Sequence, residues 1–448
     1  MKTAKTAIAL LFAIASFGTA GCETLTEAIV GPDGIDHVRV SPLEAVVGVH
    51  ATVKLQAGAL GEDGFPTLGA SAPRWRSSAP AVATVDDAGV VTARREGTAT
   101  ITATIDGHSG KATITVPKPP VEQRISVGMT HSCRVTRDGK AFCWGEGSWG
   151  QLGNGTTTSS AVPVAVTGDF RFASVSAGAH HTCGARTDGW VVCWGWGLGG
   201  QLGERYVCFW TCYPSTGPVL ASRSHVFASV SAGSNANCAL TSAGQAHCWG
   251  ERFSPPYLSS GQPPVAVGGS ERFSEISMAG GDPCALTRDG RAMCWSGLGT
   301  PAPVAEGHTF ASISASATHT CALTDGGKAF CWGEGGSGQL GDGAGASSAA
   351  PVPVAGSLAF ASIATGGSLE RPKTCALTTD GRAFCWGGGE LGSGSAQGSP
   401  TPVPVSGGHT FAFVSVGPGG TVCGVTAADE ALCWGPGYGG IPIRVAGG

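Results

Sequence analysis

Charge is scarce in this chain: Asp, Glu, Lys and Arg make up only 13% of its 448 residues, and the formal net charge is -4. Without a basic excess there is no general electrostatic attraction to a phosphate backbone. No RNA- or DNA-reading motif stands in for it, so no nucleic-acid partner is expected. Long apolar runs are lacking too. The one N-terminal run, Ile8 to Phe17, suits the core of a signal peptide and is too short for a bilayer-spanning helix. Nothing matches a phosphate loop, a zinc-protease helix or a nucleophile elbow, so no catalytic residue is assigned. What the chain does have is 73 Gly, 27 Pro and 42% hydrophobic residues, a mixture that predicts many short strands joined by turns. It also has 17 Cys.

The N-terminal run follows Lys2 and Lys5 and ends in Thr19-Ala20-Gly21-Cys22. Small residues before a cysteine at this point resemble the processing box of bacterial lipoproteins. The resemblance implies removal of residues 1–21, lipidation of Cys22 and a lipid-anchored protein of the bacterial cell envelope. Glu23, rather than Asp, after that cysteine implies sorting to the outer membrane or cell surface. Residues 22–36, with Gly31, Pro32 and Gly34, read as a tether.

Short alternating segments fill 37–116, among them Ala51–Ala57, Ala99–Ile105 and Lys111–Val116, with Asp86-Asp87-Ala88-Gly89 and Asp106-Gly107 as turns. Trp75-Arg76-Ser77-Ser78, Val82-Ala83-Thr84-Val85 and Gly89-Val90-Val91-Thr92-Ala93 resemble the group 2 bacterial immunoglobulin-like domain. That implies a small β-sandwich serving as a spacer or adhesive unit, with Trp75 in its core. Residues 117–121, containing Pro117, Pro119 and Pro120, form a semi-rigid linker.

Residues 122–448 repeat. Seven cysteine pairs recur at one spacing: Cys133 with Cys143, Cys183 with Cys193, Cys238 with Cys248, Cys284 with Cys294, Cys321 with Cys331, Cys375 with Cys385 and Cys423 with Cys433. A tryptophan follows the second cysteine every time. Between the members of a pair lies a hairpin turn such as Thr136-Arg137-Asp138-Gly139-Lys140. A three-residue loop with Gly139 in the left-handed region pairs Thr136 with Lys140. Counting outward then sets Cys133 opposite Cys143 on adjacent antiparallel strands, within bridging reach if the pair is a non-hydrogen-bonded one. A second piece recurs upstream of the pairs, a Pro-Val-Pro-Val segment followed by a Phe-Ala-Ser-Ile segment, as at 351–354 and 360–363. Four strands per unit of about 47 residues make a propeller blade. The first repeat lacks the Pro-Val-Pro-Val segment, and the chain ends on Ile441-Pro442-Ile443-Arg444-Val445. This C-terminal strand is therefore expected to pair with strands beginning near Ile125 and to close the ring.

His131-Ser-Cys-Arg-Val-Thr136, Phe142-Cys-Trp-Gly145 and Gly150-Gln-Leu-Gly153 resemble the repeats of the regulator of chromosome condensation family, and the last motif recurs at 200–203 and 338–341. The fold class implied is all-β: a seven-bladed β-propeller with an N-terminal immunoglobulin-like β-sandwich. Family members include nucleotide-exchange factors for small GTPases and secreted bacterial propellers that inhibit β-lactamases. Both act by protein–protein contact. The resemblance implies a surface-tethered extracytoplasmic module of protein–protein recognition, enzyme inhibition being one form. A structural component of an envelope or surface assembly is the alternative, with a glycan-binding protein or polysaccharide-active enzyme further off.

In an exported chain the even set left after Cys22 argues for eight disulfides, the eighth joining Cys208 and Cys212. Zinc competes for so many thiols, yet each hairpin offers two and no recurring third or fourth ligand, so no metal and no cofactor are expected. Four tryptophans stand outside the repeat, Trp149, Trp190, Trp196 and Trp210, near Tyr206, Phe209 and Tyr213. Aromatics anchor interfaces at low entropic cost. These seven residues make the candidate binding surface, with Trp190 beside a hairpin turn. Their other reading is local blade packing. His131, His181 and His319 recur before a first cysteine; repetition favours packing or a strand hydrogen bond over catalysis.

Overall fold

The computed structural model describes residues 34–47, 52–67, 69–94, 97–116, 125–204, 214–253, 263–304 and 307–447. Cys22, Tyr206, Cys208, Phe209, Trp210, Cys212 and Tyr213 lie outside these residues.

Alternation builds the N-terminal unit. Gly97–Ile105 and His108–Val116 pair as an antiparallel hairpin, burying every second residue from Ala99 to Ile105. Arg74–Ser77 pairs on one side of it, and Glu44–Val46 runs parallel on the other. A three-stranded sheet of Thr52–Lys54, Val90–Ala93 and Ala83–Val85 completes the sandwich. Val40, Leu55, Val91, Ile101 and Ile114 fill the core, with Trp75 packed against it. At Gly89 (φ +78°) an added Cβ would lie 2.7 Å from Leu55 O and 3.0 Å from the Trp75 ring, so the turn requires glycine.

From Ile125 to Arg444 the chain makes seven four-stranded antiparallel sheets, each contiguous in sequence. The first uses Ile125–Val127, His131–Val135, Ala141–Gly145 and Ser160–Ala165 as inner, second, third and outer strands. Successive inner strands touch around the ring, and the last, Phe411–Val416, touches the first. The apolar cores lie between blades. One joins Cys133, Val135 and Cys143 of the first blade to Phe172, Val175 and Trp194 of the second.

The frame of the repeat differs from the sequence expectation. The Pro-Val-Pro-Val segment is the outer strand of the blade that precedes it in sequence. Gly439–Arg444 accordingly pairs with Ala431–Gly435 in the seventh blade and does not pair with Ile125–Val127. The connection after the third strand is the physical reason: in the seventh blade Tyr438 N–H donates to Gly435 O (2.9 Å), and in the first blade the Gly-Gln-Leu-Gly turn makes the same return. Gly150 N–H donates to Gly147 O (2.7 Å) and Gly153 N–H to Gly150 O (3.0 Å), turning the chain back along the strand it has just left. A Cβ at Gly153 (φ +66°) would lie 2.7 Å from Trp194 Nε1, so no other residue fits that turn. The ring therefore closes through side chains. Ile125, Val127 and Trp144 pack with Cys423, Val425, Cys433 and Val445. Arg134 Nη1 donates to Asp429 O (3.1 Å), and Trp144 Nε1 donates to Tyr438 Oη (3.1 Å).

A serine opposite the first cysteine of a blade latches its inner strand to the next. Ser126 Oγ accepts from Ala177 N (2.9 Å), Ser176 from Ala232 N (2.9 Å), Ser231 from Met278 N (2.9 Å), Ser277 from Ala315 N (3.0 Å) and Ser314 from Thr365 N (2.9 Å). Ser415 accepts from Val127 N (3.2 Å), carrying the latch across the closure. The sixth blade has Ala364 at this register position, opposite Cys375.

Candidate interaction surface

The blade topology sorts the loops onto two faces. Hairpin turns between second and third strands lie on one face with the links between blades. Connections such as 128–130 and 146–159 lie on the other, tied together where Glu146 N donates to Thr130 O (3.0 Å). The cysteine register is local to the hairpin. Cys133 pairs with Cys143, Thr136 N donates to Lys140 O (2.8 Å), and Gly139 takes φ +81°. The same register recurs in every blade and each pair is oxidised. Cys133 is bonded to Cys143, Cys183 to Cys193, Cys238 to Cys248 and Cys284 to Cys294. Cys321 is bonded to Cys331, Cys375 to Cys385 and Cys423 to Cys433. Their Cα–Cα distances of 4.0 to 4.1 Å match a non-hydrogen-bonded pair. These seven bridges are the ones the spacing predicts; the eighth, between Cys208 and Cys212, falls outside the described residues.

The three extra tryptophans among the described residues divide between the faces. Trp149 and Trp196 lie on the connection face, edge to face with ring centroids 4.4 Å apart, although they come from different blades. Trp149 is 40% exposed and Trp196 half-buried. Trp190 sits on the hairpin-turn face, its N–H on Asp188 Oδ1 (3.3 Å), apart from that pair. Met129 and Leu198, 40% and 43% exposed, extend the apolar area of the connection face. Sequence reasoning passed them over, because connection loops elsewhere in the repeat also carry large apolar residues, Leu298 and Leu369.

The recurring histidines are clasps between blades. His131 Nε2 meets Thr182 Oγ1 (2.7 Å), and Thr182 Oγ1 donates to Gln151 O (3.2 Å). Since that hydroxyl proton is committed, the imidazole must be the donor, with Nδ1 unprotonated. His181 repeats the arrangement through Asn237 Oδ1 (2.8 Å), whose amide donates to Gln201 O (2.8 Å). His319 uses Thr374 Oγ1 (2.8 Å), which donates to Gln339 O (3.0 Å). Burial holds these imidazoles neutral, pushing His131 and His319 down to about 3 and His181 to about 4. The same glutamine carbonyls accept from the buried indoles Trp194 (2.9 Å), Trp249 (3.0 Å) and Trp386 (2.9 Å).

Between the sixth and seventh blades the clasp changes chemistry. Lys373 replaces the histidine and Val422 the hydroxyl residue, and Lys373 Nζ donates straight to Glu390 O at 2.8 Å. Burial pushes this amine down to about 8. No group of three or more His, Cys, Asp or Glu residues able to hold a metal occurs among the described residues.

Comparison with known proteins now bears on this geometry. Models of the regulator of chromosome condensation (RCC1) repeat match residues 138–185, 227–251, 310–339 and 326–369, and the bacterial Ig-like domain (group 2) matches 35–116. The chain carries RCC1 repeats behind a bacterial Ig-like domain. The RCC1-like propeller and the Ig-like domain mark a protein-interaction module in outline. The human E3 ubiquitin-protein ligase HERC2 is 39% identical over 44 residues, which is 10% of this chain and 1% of HERC2; the mouse protein matches equally. Yeast RCC1 (Prp20), solved bound to Kap60, superimposes with a TM-score of 0.58 at 21% identity, covering 68% of this chain and 83% of that one. Human WBSCR16 gives a TM-score of 0.58 at 19% identity, covering 69% and 90%. At these identities the likeness is one of fold.

Proposed function

We propose that this RCC1-repeat protein is an extracytoplasmic recognition module, tethered to the bacterial envelope through lipidated Cys22, whose connection face on the first two blades engages a protein partner. The observation that carries the reading is the Trp149–Trp196 pair, solvent-reaching aromatics at positions the repeat does not dictate. Exposed aromatics of this kind supply large contact area at low entropic cost. Support for a protein ligand comes from yeast Prp20p, described with its binding to Gsp1p and histones. A disulfide in every blade suits an oxidising compartment. Inhibition of a secreted or periplasmic enzyme is the specific form this reading favours.

The test is affinity capture from envelope extracts with the mature, disulfide-intact chain, set beside Trp149→Ala and Trp196→Ala. A protein captured stoichiometrically by the parent and lost by both variants, with melting temperatures unchanged, supports the reading. Equal capture by all three chains overturns it. A glycan ligand on arrays with no protein partner would do the same.

A further inference from the structure

On the hairpin-turn face several acids are matched within their own turns: Arg291 Nε lies 2.9 Å from Asp289, Arg382 Nε 2.8 Å from Asp380 and Lys140 Nζ 4.0 Å from Asp138. On the connection face the partners found among the described residues for the carboxylates around the tryptophan pair are neutral. Ser148 Oγ donates to Glu146 Oε2 (3.0 Å), and Asn235 Nδ2 donates to Glu251 Oε2 (2.9 Å). Both glutamates are exposed.

Their placement flanks the aromatics. Glu146 opens the loop that carries Trp149, and Trp149 meets Trp196 of the second blade. Past Trp196 comes Leu198; a Cβ built on the neighbouring Gly199 would lie 3.5 Å from Glu251 Cβ of the third blade. Along the described connection-face loops of these three blades the charged side chains are Glu146, Glu204 and Glu251, with no Lys or Arg among the described side chains. Arg205 and Arg252 fall outside them.

An indole face attracts a cation through its ring quadrupole, more strongly where water is displaced. Exposed carboxylates beside it add Coulombic attraction for the same cation and steer encounter. An apolar partner would gain from the tryptophans alone. A basic one uses both. We propose that this surface, taken as the recognition face above, receives a protein segment presenting arginine or lysine side chains, one cation seated against Trp149–Trp196 between Glu146 and Glu251.

The experiment titrates the mature, disulfide-intact chain with an oligoarginine peptide by calorimetry, with oligoglutamate and Gly-Ser peptides of equal length as controls. Saturable binding of oligoarginine alone is expected, weakening about fivefold or more from low to high salt as exposed charges are screened. The double variant Glu146→Gln with Glu251→Gln should weaken it about tenfold, and so should Trp149→Ala, each a loss of about 1.4 kcal/mol. Asp169→Asn on the opposite face should leave it unchanged. Melting curves of every variant should overlay, since all the substituted side chains reach solvent. Absence of saturable binding, equal binding of the neutral peptide, or indifference to both the glutamine pair and Trp149→Ala overturns the inference. The envelope partner separates the two readings. Capture lost with the tryptophan variants yet unaffected by the glutamine pair and by salt would overturn the basic-segment inference and leave the recognition face standing. Capture kept by the tryptophan variants would overturn both.

Discussion

A lysine buried at a blade interface is an expensive group to keep, and Lys373 is fully buried. Its place follows from the residue it faces. In three other seams a neutral histidine reaches a hydroxyl or amide, and that group reaches a backbone carbonyl. Val422 cannot relay, and the longer lysine spans both steps to Glu390 O. Lys373→His should then leave the carbonyl and the new imidazole without partners, costing about 1–3 kcal/mol. Lys373→His with Val422→Thr should recover most of that loss in a denaturant-unfolding cycle, whereas additive losses would refute the relay. The histidine clasps also set an acid limit. A group kept neutral in the fold, with its pKa lowered from 6.5 to about 3 or 4, binds its proton more readily in the unfolded chain. Stability is full above about pH 6.5 and falls as the pH drops toward the folded values, by about 1.4 kcal/mol per pH unit for each histidine. Melting temperature should therefore decline between pH 7 and pH 5, and replacing His131, His181 and His319 by Gln should flatten that slope.

Among elements, the outer strands explain the prolines. Pro163, Pro218, Pro303, Pro351, Pro402 and Pro442 all lie in outer strands, and Pro263-Pro264 directly precedes the outer strand of the third blade. Proline gives no N–H and is tolerated at an edge, where it also blocks addition of a foreign strand. Val162, Ile441 and Ile443 are nonetheless 47–51% exposed on these edges. Replacing Pro163, Pro351 and Pro442 by Thr should leave the monomer folded and raise concentration-dependent association, read by light scattering on a sizing column. An unchanged monomer across concentrations would show that another device protects the edges.

For the whole molecule the disulfides and the seams share the work. Each bridge closes only a short hairpin, worth about 2–3 kcal/mol by chain entropy, so no single bridge holds the ring. Intact mass should fall below that of the reduced chain by two hydrogens per bridge, lipid allowed for. Reduction should lower the melting temperature of the propeller progressively with the number of bridges opened. The seam between the sixth and seventh blades lacks the serine latch at Ala364, and the buried Trp434 Nε1 there has no hydrogen-bond partner among the described residues. Hydrogen exchange should find the fastest-opening inner-strand amides at this seam, and uniform protection around the ring would contradict that ranking.

Local sequence carried the parts that local hydrogen bonds decide. The turn at Arg137-Asp138-Gly139 alone put Cys133 against Cys143, because hairpin register depends on a few adjacent dihedrals. Alternation and spacing likewise predicted seven similar four-stranded units, and the resemblance to an immunoglobulin-like domain implied a packed Trp75. The frame of the repeat was not legible in this way. A proline-rich edge strand can belong to the blade before it or after it, and the turn at 147–153, packed against Trp194 of the neighbouring blade, made the choice. Tertiary packing alone also sent Trp190 to one face and brought Trp149 to Trp196 on the other. It matched Lys373 to Val422 across a seam as well. Those contacts join residues distant in the chain, whose meeting depends on how each blade packs against the next rather than on any pattern within one.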